Sequence, residues 1–198
     1  HRKVILPQLG APGVSAFTLK EWCGWDVEYG PVRAEDLPEY LKTHRATPEM
    51  RRVRFGLWDR IVLIPVELVS AFLAMAVAAI LTYFILGPIA GLAVLAAVLA
   101  GTVLFPALLP FIPVKDFSAK GLVLGLLVAL PFAYYFFSKP GDALLNGLAA
   151  AGYLLAMPPV TAYLALNFTG CSTFTSRTGV RKEIFTYVLP MAVSFVLG

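Results

Sequence analysis

The chain has 198 residues, of which 59% are hydrophobic and 14% charged, with a formal net charge of +4. Ordinary soluble domains are about a quarter charged. Two cysteines, Cys23 and Cys171, are too few and too far apart for a disulfide framework or a metal cluster. The basic excess lies beside apolar segments, so it needs no nucleic-acid partner.

Ten of the 16 Lys and Arg and eight of the 12 Asp and Glu fall in residues 1–60, which read as a water-facing segment. No signal peptide opens the chain, because His1-Arg2-Lys3 runs into Val-Ile-Leu and then Pro7. Lys3–Leu9 is a short apolar run ended by Gly10-Ala11-Pro12-Gly13, the pattern of a strand and a tight loop. A chain that opens inside a strand is expected to be a fragment lacking its N-terminal part. Val14–Trp22 has helix-compatible spacing, and Gly24 is a helix stop. Trp25–Tyr29 alternates apolar and acidic residues, as a half-exposed strand does, and Gly30-Pro31 breaks it. Ala34–Thr43 is a short helix with an acidic start and Pro38 in its first turns, where Pro is tolerated.

Strand, helix, strand and helix in about 45 residues predict a βαβα unit, the C-terminal part of a doubly wound α/β domain over residues 1–45. Such a unit buries too little surface to fold alone. Ligands of these domains sit beyond the carboxyl ends of the strands. Two Gly/Pro-rich loops leave those ends, Gln8–Val14 and Gly30–Arg33. The candidate ligand-lining residues are therefore Gln8, Leu9, Gly10, Ala11, Pro12, Gly13, Gly30, Pro31, Val32 and Arg33. Ordinary βα turns are the alternative.

Residues 46–60 form a basic juxtamembrane linker. Arg51, Arg52 and Arg54 can meet anionic headgroups while Trp58 sits at the interface. Ile61–Leu86 then runs 26 residues with one charge, Glu67. As a helix it reaches ~39 Å, more than the ~30 Å hydrocarbon core of a bilayer. Pro88–Leu109, Gly121–Phe137, Ala143–Leu166 and Ile184–Leu197 follow, giving a polytopic five-helix transmembrane domain over 61–198. The last has 14 residues, so it is either cut short or does not cross. Fifteen basic residues share the side of the N-terminal segment, and Lys139 alone lies opposite. The positive-inside rule puts residues 1–60 and 167–183 in the cytoplasm, and the chain in the inner membrane.

Glycines four apart in Gly87–Gly91 and Gly121–Gly125, and the pair Gly147/Ala151, allow close helix packing, with chance in Gly/Ala-rich helices as the alternative. Glu67 reads as a cap or a partner at the bundle's inner face, and Pro65, Pro106, Pro110, Pro131 and Pro158-Pro159 as kinks. The connection Asn167–Glu183 is 17 residues long, with six hydroxyl side chains, two glycines and three basic residues. Connectors of that length are uncommon without a task. Asn167, Thr169, Gly170, Thr175, Ser176, Arg177 and Lys182 are its candidate docking residues. A solvated loop is the alternative, and Cys171 could serve there as a small side chain or as a soft-metal thiolate.

The runs LPQLGAPGV (Leu6–Val14), YGPVRAEDLPEYL (Tyr29–Leu41), ATPEMRRV (Ala46–Val53) and the loop Asn167–Glu183 resemble the family of membrane-bound corrinoid proteins of mercury methylation, HgcA. The first two also resemble, more loosely, the corrinoid-binding domain of the corrinoid iron–sulfur protein of acetyl-CoA synthesis. The resemblance covers nearly the whole chain. It implies a Rossmann-like domain holding a cobalamin-type corrinoid, followed by five membrane helices. It implies cobalt cycling between Co(I), which takes a methyl group from a folate-linked donor, and methyl-Co(III), which passes it to a Hg(II) thiolate complex. A ferredoxin-like iron–sulfur protein supplies electrons. On this resemblance Gln8–Gly13 and Gly30–Arg33 line the corrinoid, and Asn167–Glu183 faces the corrinoid domain.

One departure is plain. The family's cobalt-facing cysteine lies in Asn-x-Trp-Cys-Ala-x-Gly-Lys, which this sequence lacks; Glu21-Trp22-Cys23-Gly24 shares Trp-Cys alone. The corrinoid is therefore expected to be bound mainly by residues upstream, and the chain by itself to be inactive. The competing readings are a membrane anchor for another one-carbon protein and a small transporter subunit, the latter disfavoured because no internal repeat is visible.

Overall fold

The computed structural model describes residues 2–171 and 177–198. The chain divides into two compact units, residues 1–54 and 55–198.

In the first unit, strands β1 (Lys3–Pro7) and β2 (Asp26–Gly30) pair in parallel, in register from Lys3 opposite Asp26 to Pro7 opposite Gly30. Parallel neighbours need a crossover, and helix α1 (Ala16–Cys23) supplies it. Ser15 caps α1 by accepting from the Thr18 amide at 3.3 Å. Gly24 ends it in the left-handed conformation, φ 69°, with its amide donating to the Lys20 carbonyl. Helix α2 (Leu37–Thr43) starts with Pro38 in its first turn and stops at His44, also left-handed. Gly30 is closely packed: a Cβ there would lie 3.0 Å from Ile5 Cγ2 and 3.4 Å from the Tyr40 ring.

The buried residues of this unit are few: Gly30, Pro31, Tyr40 and Met50 among those described. Helix α1 buries none, and its Phe17 and Trp22 are 78% and 80% exposed. A two-strand unit with so small a core is marginal in water.

The second unit is a helical bundle. Helix α3 (Leu57–Ile61) leads into α4 (Ile64–Leu86), where Pro65 begins the helix rather than kinking it. Gly87, φ 100°, turns the chain directly into α5 (Pro88–Leu99). A π-turn, Ala100–Leu104, and the short α6 (Phe105–Leu108) complete that pass. Helices α7 (Phe117–Phe137), α8 (Ala143–Asn167) and α9 (Arg177–Leu197) follow. Among the described residues four segments are long and apolar enough to cross a bilayer: Leu57–Leu86, Pro88–Leu108, Phe117–Phe137 and Ala143–Asn167.

The π-turn has a cause in Pro106. Proline has no amide hydrogen, and its ring collides with the carbonyl four residues back, here Thr102. One extra residue in the turn relieves that collision. The backbone carbonyls on this stretch are met by hydroxyls. Thr102 Oγ1 donates to Val98 O at 2.9 Å, and Thr161 Oγ1 of α8 donates to Ala97 O at 3.0 Å.

The glycine spacings separate on packing. A Cβ on Gly121 would lie 2.6 Å from Ala162 Cα, and one on Gly125 2.7 Å from Pro158 Cα, so α7 and α8 touch backbone to backbone there. Gly91 similarly lets α5 approach Ala79 and Tyr83 of α4. Among the described residues nothing lies within 4 Å of a Cβ added at Gly147, so no close helix contact is seen there.

Candidate functional site

Because β1 and β2 are parallel and Pro7 pairs with Gly30, their carboxyl ends lie at one edge of the sheet. The two predicted ligand loops therefore start side by side. After β1, Gln8–Gly10 make a 3-10 turn, with the Ala11 amide donating to Gln8 O and the Gly13 amide to Gly10 O. The Tyr29 hydroxyl donates to Val14 O and ties the end of this loop to β2. A Cβ on Gly10 would meet nothing nearer than 4.0 Å, and one on Gly13 nothing nearer than 3.7 Å. These two glycines therefore leave room beside their backbone instead of filling a contact within the chain.

The loop after β2 is already engaged. The Val32 amide donates to Met50 O at 2.9 Å. Arg33 reaches Arg54 O at 3.3 Å and Glu35 at 3.5 Å. Pro31 is buried. Residues 47–54 thus pack against the end of β2.

Glu28 of β2 gathers two partners, the hydroxyl of Tyr40 on α2, which donates to Glu28 Oε1, and Nδ1 of His44 just after that helix, at 3.2 Å. The bond from Tyr40, then that from His44, holds the Glu28 carboxyl below its usual range. The same bond, with burial, pushes the Tyr40 hydroxyl up to about 12. Among the described residues no group of three or more His, Cys, Asp or Glu could hold a metal ion. Cys23 is an exposed free thiol at the end of α1.

In the second unit the charged side chains work on helix ends. Arg60 is 8% exposed and donates to Pro106 O at 3.1 Å and Ala107 O at 3.4 Å, the terminal carbonyls of α6. Lys120 Nζ donates to Leu109 O at 2.7 Å. Glu183, 6% exposed, accepts from the amides of Phe117 and Ser118 at 3.3 and 3.0 Å and from Ser118 Oγ at 3.0 Å. The Tyr187 hydroxyl donates to Asp116 Oδ2 at 2.9 Å. The first and last turns of a helix carry orphan amides and carbonyls. Three of these side chains, Arg60, Lys120 and Glu183, meet such backbone groups between Pro106 and Ser118, while Tyr187 meets the Asp116 carboxylate.

That arrangement changes the expected connection Asn167–Glu183. Phe168–Cys171 are a 3-10 turn, and Arg177–Glu183 are already helix α9. Glu183 is drawn into the bundle by α7, and the helix forms back to Arg177. Of the expected docking residues, Asn167 ends α8 and is exposed, whereas Thr169 is buried with its hydroxyl donating to Leu166 O at 2.6 Å. Gly170 lies in the 3-10 turn, Arg177 opens α9, and Lys182 is exposed on it. Thr175 and Ser176 lie outside the described residues. Glu67 stands in the first turn of α4, where a carboxylate suits the helix dipole.

The sequence pattern singles out Glu67, and the helix-end contacts of Arg60, Glu183 and Tyr187 are not visible in it. The available signal was Asp116-Phe-Ser118, a polar N-terminal pattern four residues before the predicted helix start at Gly121.

Comparisons with family models, with curated proteins and with solved structures give no match for this chain.

Proposed function

We propose that the chain is the membrane-embedded C-terminal part of a corrinoid-dependent methyltransferase that passes a methyl group to Hg(II), as the resemblance of its sequence runs implies. The observation that carries the reading is the pairing of Pro7 with Gly30, which brings Gln8–Gly13 and Gly30–Arg33 to one sheet edge in a chain that also has four membrane-length helices. That edge suits the rim of a wide, flat cofactor. Backbone is open at Gly10 and Gly13.

Among the described residues no cluster of three or more His, Cys, Asp or Glu could hold a metal ion by itself. In this reading residues upstream would supply the thiolate for the metal, and Gln8–Gly13 and Gly30–Arg33 would help to hold the cofactor. A bound corrinoid contributes the metal chemistry of methyl transfer, and the protein contributes position. Helix α9 is a fifth crossing, residues 1–60 are cytoplasmic, and the membrane is the inner one. The partners are a ferredoxin-like iron–sulfur protein, a methyl-folate-linked donor and a Hg(II) thiolate complex.

The test is the visible spectrum of the full-length protein purified from cells that make corrinoids. A corrinoid band that copurifies stoichiometrically and falls in a G10V/G13V variant is expected. Purified protein with no such band is an anchor or a transporter subunit, and the reading is then lost.

A further inference from the structure

Residues 47–52 form a hydrogen-bonded turn. The Arg51 amide donates to Thr47 O at 3.3 Å and the Arg52 amide to Glu49 O at 3.1 Å. Met50 N donates to Thr47 Oγ1 at 3.3 Å. Met50 itself is buried, and its carbonyl is held by the Val32 amide. The turn is therefore anchored through Met50, while Arg51 and Arg52 are exposed. Arg54 is engaged with Glu49 at 3.7 Å. Among the described residues no ion pair involves Arg51 or Arg52.

The turn cannot be far from a bilayer. Arg52 precedes Leu57, the start of the first membrane-length segment, by five residues. A fully extended chain of that length spans about 18 Å. Leu57 and Trp58 at the head of that segment are themselves exposed, as interfacial anchors are. Two exposed guanidinium groups on a preformed turn, tethered this close to lipid, fit phosphate headgroups with little further loss of chain freedom.

We propose that the Thr47–Arg52 turn is a docking surface for an anionic lipid bilayer, with Arg51 and Arg52 engaging headgroup phosphates and holding residues 1–54 near the membrane. This goes beyond the corrinoid reading and does not depend on it. Each arginine near an anionic surface shifts the equilibrium roughly fivefold toward the bilayer, so the pair contributes on the order of twenty-five-fold.

The experiment uses the whole chain in nanodiscs, with Cys171→Ser so that the exposed Cys23 carries a single donor dye and headgroup-labelled lipid is the acceptor. Discs of phosphatidylcholine alone are compared with discs containing about 30% phosphatidylserine. Energy transfer is expected to rise in the anionic discs, to fall back at about 0.5 M salt as screening shortens, and to fall back equally in R51Q/R52Q. Far-UV circular dichroism checks that the variant is folded; both positions are exposed. Equal transfer in the two discs overturns the proposal, and is the result if the arginines serve an acidic protein partner. A rise that survives R51Q/R52Q overturns it as well, because other charges then provide the attraction.

Discussion

Glu183 and Ser118 meet twice: the carboxylate Oε2 accepts from the Ser118 amide and from its hydroxyl, each at 3.0 Å. Both residues are buried, and the second carboxylate oxygen takes the Phe117 amide. One side chain on α9 thus does for α7 what a local N-cap residue usually does. Asp116, the residue in the N-cap position, makes no side-chain cap bond and receives Tyr187 instead.

Removing that carboxylate leaves buried donors without an acceptor, each costing about 1–3 kcal/mol. Glu183→Ala is therefore expected to destabilise the bundle by about 3 kcal/mol. Glu183→Gln keeps one acceptor oxygen and should cost about half as much. Reversible unfolding of the whole chain in mixed micelles measures both. An alanine variant as stable as the parent would mean that water or another group caps α7.

The glycine positions give a paired expectation. At Gly121 an added methyl would lie 2.6 Å from the Ala162 backbone, which cannot yield without moving α7 from α8. Gly121→Ala is expected to cost about 1–3 kcal/mol through overpacking. At Gly147 the same change meets open space. Gly147→Ala should be neutral or up to about 1 kcal/mol stabilising, the helix-propensity gain of Ala over Gly. Similar losses at both sites would show that close approach is not what Gly121 provides.

This pair also shows what could be read from residues alone. Gly121/Gly125 and Gly147/Ala151 have the same small-residue spacing, and spacing cannot say which one has a neighbour. The spans themselves were legible because long apolar runs have one physical outcome in a bilayer. Four of five appear as helices of crossing length and composition, with Phe117–Phe137 extended by four residues at its start. The parallel order strand–helix–strand was legible from Gly10–Gly13, Gly24 and the alternation at Trp25–Tyr29. The register that joins the two loop starts was not. Nor was the helical state of Arg177–Glu183, whose polar sequence reads as a connector until Glu183 finds the amides of α7. Tertiary partners 65 residues away leave no mark in a local pattern.

Topology can be checked directly. The charge distribution argues that Ser138–Asp142 faces away from the cytoplasm, since Lys139 is the one basic residue on that side. With Cys23 and Cys171 replaced by Ser, a cysteine at position 140 is expected to react with an impermeant maleimide in intact cells, and one at position 176 is not. The opposite pattern would invert the protein in the membrane. Labelling at both positions would mean that the chain between them does not cross an odd number of times.

The Glu28–Tyr40 bond makes a pH prediction for the first unit. The folded Glu28 carboxyl titrates below its ordinary 4.5, so its contribution is present above that value and is lost as pH falls through the lower folded value. Tyr40 is raised from 10.0 to about 12, so its contribution is complete below 10 and is lost as pH rises towards 12. Between these limits both groups favour the folded form, and the stability they supply should be level from about pH 5 to pH 10. Replacing Tyr40 by Phe removes the donor to Glu28 while keeping the buried ring. The variant is expected to be less stable across the plateau by about 1–2 kcal/mol. Its alkaline decline should also be shallower than the parent's, because one ionisation that opposes folding has gone. Denaturant midpoints of the whole chain at pH 7, 10 and 11.5, followed by fluorescence in a Trp58→Phe background so that Trp22 and Trp25 alone report, give the comparison. Parallel declines in parent and Tyr40→Phe would show that the alkaline loss comes from other groups, Lys20 among them, whose pairing with Asp26 also raises it.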